Sequence, residues 1–304
     1  MPFDQAKFEF VCKKSREAML LHSSADALEW DERTGMPIEG GEYRAGQVSM
    51  LRGLSHRLRT DPAYGESLQE LMAESVDANA HDDATATVTG LHRAWNRDRK
   101  LTAELEERAS EATGRGKQCS DAERKADYYS LFRDTLSEII IMKREIGERL
   151  REGTDRTTYE ALLDEYEPDA KVADLIETFA DLRAPLVDLV SQIKDAPRKP
   201  NSSLLEGDFP IKQQRQFSHF VAEKIGFSFS RGRLDETSHP FCTTLGPHDC
   251  RILTRYDQSV LSSGLFGTMH EAGHGMYEQG LRPDWFGLPP GSYVSLGIHE
   301  SQSR

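Results

Sequence analysis

Five consecutive residues, His270-Glu271-Ala272-Gly273-His274, carry the densest chemistry in the chain. They read H-E-x-x-H, a pattern found in zinc-dependent peptidases. The spacing has a mechanical meaning. On an α-helix, positions i and i+4 lie about 40° apart around the axis and about 6 Å apart along it, so two imidazoles face one metal ion from the same side. Glu271 points about 60° from His274, near enough to hold a water at that metal. A helix carrying two ordinary histidines, capped or solvated, is the plainer alternative. Gly273 is a poor helix residue on propensity alone, which points to packing or close approach at that position.

Catalytic zinc takes three protein ligands and leaves one position for water. Residues 260–279 pattern as a partly buried helix, and Gly280 to Gly291 is rich in breakers and reads as a loop. A second helix starting near Ser292 or Ser295 then carries His299 and Glu300. Glu300 follows His274 by 26 positions (300 − 274), enough for one helix-loop-helix reversal to return a carboxylate to the metal. His299 is an alternative third ligand, and a solvated carboxylate is the common fate of any Glu. Ligand imidazoles are usually oriented by further groups. Asp249 is a candidate for that role, against an ordinary ion pair with Arg251 or Arg255. His239 is a candidate lining residue of a substrate groove, against a hydrogen-bonded turn before Pro240.

At this point the chain resembles the carboxypeptidase Taq family of zinc metallocarboxypeptidases. The residues that carry the resemblance are Gly232-Arg233-Leu234-Asp235, His239-Pro240-Phe241, Asp249-Cys250-Arg251, Thr254-Arg255-Tyr256-Asp257, His270 to His274, Tyr277-Glu278-Gln279-Gly280 and His299-Glu300-Ser301-Gln302-Ser303-Arg304. Upstream, Trp30-Asp31, Thr34, Met36-Pro37, Arg44 and Gln47 match the family's N-terminal motif, and Leu162 to Pro168 matches another segment. The resemblance implies a mainly α, helical zinc-metallopeptidase fold whose deep groove is floored by a small β-sheet beside the H-E-x-x-H helix. It also implies one Zn²⁺ held by His270, His274 and Glu300, with Co²⁺ or another divalent ion as a substitute. Glu271 is then the general base, peptides the substrates, the C-terminal amino acid the leaving group, and a homodimer the assembly. His239, Asp249 and Arg251 fall within the family's groove motifs.

Two departures stand out. Leu253 occupies the position where the family's D-x-R-x-T pattern has Thr, with Thr254 next door. The family's later segments, I/V-R-x-x-A-D and G-x-x-Q-D-x-H-W, have no counterpart in this sequence, so the expected fold is truncated relative to the family. By resemblance those segments recognise the substrate's carboxylate and stabilise the oxyanion. An alternative expectation follows from their absence: a catalytically incompetent half-enzyme, a metal-binding scaffold, or a site completed by a separate chain.

The elements that must position these groups are mostly helical. Amphipathic stretches run over 4–32, 43–60, 64–76, 85–113, 121–152 and 170–194, with a polar connection at 77–83 and Pro185 marking an expected kink. Tyr128, Phe132, Ile139, Ile146 and Leu150, and a second stripe from Val172 to Ile193, read as helix-packing core. The Pro-, Ser- and Gly-containing segment 195–210 is the best linker, which divides the chain into a helical region, 1–200, and a metal-site region, 201–304. In the latter, a helix at about 211–225 ends at Gly226, and Phe227-Ser228-Phe229-Ser230 and Arg251 to Tyr256 carry strand signals.

Composition bounds the partners. The 304 residues are 37% hydrophobic and 29% charged, as in a globular protein. No apolar run approaches membrane-spanning length and Met1 to Lys7 lacks a secretory core, so a cytoplasmic protein is expected. A net charge of −13 argues against nucleic acid and anionic membranes as partners. Cys12, Cys119, Cys242 and Cys250 show no C-x-x-C spacing. Reduced thiols are expected; Cys242 and Cys250 flank a strand turn across which they could approach each other, and two small buried residues is the plainer reading.

Overall fold

The computed structural model describes residues 4–75, 82–102, scattered positions from 104 to 116, 130–205 and 207–304. It is mainly helical with one small sheet, as expected. Two compact units divide it: Met1–Trp95 with Pro197–Arg304, and Asn96–Ala196. The division therefore differs from a single boundary near residue 200. The expected linker, 195–210, marks only the return from the second unit to the first.

The first unit opens with α1 (Gln5–Thr34), capped by the Asp4 carboxylate, which accepts from the Ala6 and Lys7 amides. Next come α2 (Gly41–Arg59), α3 (Pro62–Glu74) and α4 (Asp83–Asp98). The start of α3 combines an Asp61 cap with Pro62, whose missing N–H would have been unpaired there anyway. Phe8, Val11, Tyr64, Leu68, Leu71, Val88, Trp95 and Leu288 form one core. Arg44 of α2 ties back to α1, donating to Asp31 Oδ2 at 2.8 Å and the Leu28 carbonyl at 2.6 Å, and reaches Gln47 at 3.2 Å. The N-terminal motif thus includes a strap between two helices.

In the second unit α5 (Ser130–Arg151), α6 (Thr158–Leu163) and α7 (Val172–Asp195) are described. A reciprocal capping box between Thr157 and Glu160 starts α6. Ile146 and Leu150 of the first stripe are buried with Met142, Leu105, Ala112 and Ala161, and Ile139 packs against them partly buried. The stripe on α7 is not core. No residue of α7 is buried, and Ile176, Phe179 and Ile193 are exposed. Amphipathic spacing identifies a helical face; it does not supply the surface that covers it. The helix continues through Pro185. Tyr128, the polar connection at 77–81, Cys119 and the start of the 121–152 stretch lie outside the described residues.

Back in the first unit, α8 (Ile211–Ile225) ends at Gly226, whose φ of 119° closes the helix in a left-handed cap. Phe227 to Ser230 forms no strand. The Phe227 amide bonds the Ala222 carbonyl at 2.9 Å, extending the helix termination, and both phenyl rings serve packing: Phe227 meets Phe229 edge-on at 5.0 Å, and Phe229 stacks on His219 at 3.6 Å. The strands are β1 (Gly232–Glu236), β2 (Phe241–Gly246) and β3 (Asp249–Thr254), in the order β1-β3-β2. β3 is central, parallel to β1 and antiparallel to β2, with Ile252 opposite both Leu234 and Cys242. Cys250, Ile252, Leu253 and Thr254 are buried, as a strand paired on both sides and covered by a helix requires. That helix is α9 (Leu261–Gly280), and α10 (Leu296–Ser301) follows it. Among the described residues no helix is long and apolar enough to cross a membrane.

Candidate metal centre

α9 rests on the sheet through residues that permit close contact. A Cβ on Gly275 would fall 2.6 Å from the Phe227 ring and 3.1 Å from Ile252. At the far end of the helix, Gln279 fixes the chain reciprocally, donating to the Ser228 carbonyl and accepting from the Ser228 amide, both at 2.9 Å. Seated this way, α9 buries Glu271 and His274 at 5% and 7% exposure and half-buries His270. The chain then reverses through single turns of 3-10 helix at Pro283–Trp285 and Pro289–Gly291, with Gly287 at a φ of 80° between them. Ser295 starts α10 by accepting from the Ile298 amide at 3.1 Å.

This reversal brings Glu300 back to α9. His270, His274 and Glu300 each offer a ligand atom within 4.8 Å of the others, and Glu300 Oε2 lies 3.7 Å from His274 Nε2. The two imidazoles stand 4.8 Å apart and nearly perpendicular, at 85°. Their other nitrogens face main-chain acceptors on the segment that carries Glu300. His270 Nδ1 lies 3.2 Å from the Ser303 carbonyl, and His274 Nδ1 lies 3.1 Å from the His299 carbonyl. A carbonyl only accepts, so each Nδ1 donates and each Nε2 keeps its lone pair for a ligand role. The donor set of two neutral imidazoles and one carboxylate suits a divalent transition metal.

Burial, and next the charge of Glu300, push the Glu271 carboxyl up to about 7. Burial, and next the neighbouring His299, lower the pKa of His274, which favours the neutral ring that a ligand must be.

The remaining candidates fall elsewhere. The Asp249 carboxylate is occupied by Arg251, which donates from Nε and Nη2 at 2.8 Å each, and Arg251 also stacks on Trp30 at 4.4 Å. The Nδ1 atoms of the two imidazoles face Ser303 and His299, so Asp249 is not their partner. His239 sits half-buried in the bend before β2. His299 is not one of the three converging groups: its ring nitrogens meet His274 Nδ1 at 2.6 Å and Glu278 Oε1 at 2.9 Å. Sequence reasoning assigned Glu278 no role, although its place one turn beyond His274 put both on one helical face. Cys242 and Cys250 do approach, with sulfurs 3.6 Å apart and both thiols free.

A buried helix offering two imidazoles with a carboxylate between them, closed by a glutamate from the next helix, places the chain among the metallopeptidases. The family is particular: the model of the carboxypeptidase Taq (M32) metallopeptidases matches residues 10–304, and the chain belongs to that family. It is 34% identical to thermostable carboxypeptidase 1 of Thermus thermophilus over 99% of its own length and 60% of the relative's. With carboxypeptidase 1 of Bacillus subtilis the identity is 34%, over 93% of this chain and 56% of that one. The structure of an M32 carboxypeptidase from Deinococcus radiodurans superposes with a TM-score of 0.86 at 30% identity, covering 99% of this chain and 59% of the other. The chain thus spans about 60% of the length of such relatives.

Proposed function

We propose that the protein is a zinc-dependent metallocarboxypeptidase that releases the C-terminal amino acid of peptides. The observation that carries this reading is the convergence of His270, His274 and Glu300 within 4.8 Å, with both Nδ1 atoms turned to the backbone around Glu300. The names of the relatives, all carboxypeptidases, support the direction of attack on the peptide. His270, His274 and Glu300 would hold Zn²⁺. When bound, the cation supplies Lewis-acid polarisation of the scissile carbonyl and acidifies water.

The protein's own side chains do the remaining work. Glu271 accepts a proton from water at a carboxylate oxygen and delivers it to the departing amine nitrogen. A carboxylate next to the ligand histidines is placed to take the proton and give it up again. Its burial keeps bulk water from competing for that proton. His270 and His274 each turn Nδ1 to a main-chain carbonyl and leave Nε2 for the ligand role.

The test is release of free C-terminal amino acid from a short peptide by the zinc-loaded protein, compared with Glu271→Gln. Loss of the proton acceptor is expected to lower the rate about 10²–10⁴-fold with zinc stoichiometry unchanged. A Glu271→Gln protein as active as the parent overturns the mechanism. Stoichiometric zinc without any amino acid released leaves a metal-binding scaffold instead.

A further inference from the structure

His299 precedes Glu300, but its side chain leaves the point where the three ligand groups meet and turns back onto α9. Its Nδ1 lies 2.6 Å from His274 Nδ1 and its Nε2 lies 2.9 Å from Glu278 Oε1. The side chains of His299 and Glu278 are only 13% and 12% exposed. The His274 and His299 ring centroids are 4.6 Å apart and the planes 32° from parallel; with the Nδ1 atoms so much closer than the centroids, the rings meet edge to edge. Tyr277 and Tyr293 close the box, each standing nearly perpendicular to the His299 ring at 5.2 Å. The tyrosines restrain the ring plane, and the polar contacts to His274 and Glu278 decide which edge faces which partner.

That orientation has a proton count. An ionised carboxylate only accepts, so His299 Nε2 carries the hydrogen that points at Glu278. His274 Nδ1 also faces the His299 carbonyl, which only accepts, so His274 Nδ1 is the donor and the facing His299 Nδ1 the acceptor. The same His274 Nδ1 lies 3.1 Å from the His299 carbonyl oxygen, so one residue brackets it with a ring nitrogen and a backbone oxygen. With the proton held on Nδ1, the free lone pair of His274 is on Nε2, the atom 3.7 Å from Glu300.

We propose that Glu278 and His299 are positioning residues for the metal site: the chain Glu278–His299–His274 sets the tautomer and direction of the His274 ligand. Because His299 and Glu300 are adjacent, the same contacts locate the third ligand against the first two. Buried carboxylate–imidazole partners of this kind typically change metal affinity about 10–100-fold when removed. This inference rests on the metal-site reading of His270, His274 and Glu300.

Two measurements test it, neither requiring turnover. In the metal-free wild-type protein, long-range ¹H–¹⁵N correlation of the imidazoles should show His299 protonated on Nε2 and His274 on Nδ1. Zn²⁺ affinity should then be measured against a chromophoric chelator for the wild type, Glu278→Gln, His299→Asn and His270→Ala, with the visible spectrum of bound Co²⁺ recorded for each. Glu278→Gln keeps the shape but can accept from or donate to His299. It should mix the His299 tautomers, weaken Zn²⁺ binding about 10–100-fold and alter the Co²⁺ bands. His270→Ala removes a ligand and should lose binding altogether. A wild-type His299 protonated on Nδ1 overturns the relay even if no variant folds. So do Glu278→Gln and His299→Asn proteins that bind Zn²⁺ as tightly as the wild type while His270→Ala does not. Equal, weak binding by the wild type and His270→Ala would instead overturn the metal site and the relay with it.

Discussion

The α-carbon of Gly273 faces the backbone of Gln302 so closely that a Cβ there would sit 2.4 Å from the Gln302 carbonyl oxygen and 2.7 Å from Ser303 Cα. The glycine inside the H-E-x-x-H sequence is thus a seat for the end of the next helix. Gly273→Ala should push residues 302 and 303 away, and with them the Ser303 carbonyl that faces His270 Nδ1. Overpacking of this kind costs about 1–3 kcal/mol. We expect a melting temperature lower by a few degrees together with weaker Zn²⁺ binding. A variant matching the wild type in both would show that the two segments do not press together.

Metal and stability should be linked. A cation that binds only the folded chain stabilises it by about 2.7 kcal/mol at a free concentration 100 times its Kd. Thermal unfolding with rising Zn²⁺ should therefore shift upward, and a strong chelator should reverse the shift. His274→Ala should abolish it, whereas Glu300→Gln, which keeps both imidazoles, should reduce it. A shift that survives His274→Ala would mean binding elsewhere.

Trp30, at the end of α1, meets two guanidinium groups from the sheet, Arg233 at 4.8 Å and Arg251 at 4.4 Å from its ring. A double-mutant cycle between Trp30→Leu and Arg251→Met should give a coupling of about 1 kcal/mol, the scale of a partly desolvated cation–π contact. Additive effects would reduce the arrangement to simple packing.

Cys12 gives a pH dependence with a definite sign. Burial raises its thiol from the ordinary 9.0 to about 11. Below pH 9 both folded and unfolded chains hold the proton and the group contributes nothing. As pH rises from 9 towards 11 the unfolded chain releases it first, so stability falls by up to about 1.4 kcal/mol per pH unit. Unfolding curves of wild type and Cys12→Ala should converge with rising pH in this window. A constant difference between them would contradict the buried neutral thiol.

Much of the centre is legible as local pattern. The His–Glu–His spacing, the breakers after it, the capping serine at 295 and the closing glycine at 226 act within one or two turns of chain. What escaped depends on distant neighbours. Phe227 and Phe229 alternate with serines like a strand, yet their rings are taken up by each other and by His219. The apolar stripe of α7 predicted a helix correctly and its burial wrongly, because periodicity carries no information about a covering surface. The outward boundary between units falls at Trp95–Asn96, inside α4, where no breaker marks it. Asp249 has the residue type to orient an imidazole, but Arg251, two residues along the same strand, takes it up from the same face.

The three ligand groups are unequally sheltered: His274 is buried in α9, whereas the Glu300 side chain is 53% exposed on a six-residue helix. With a cation held there as proposed, an incoming chelator would meet the exposed carboxylate before either imidazole, so substitutions around Glu300 should change the rate of metal exchange more than those on the histidine helix.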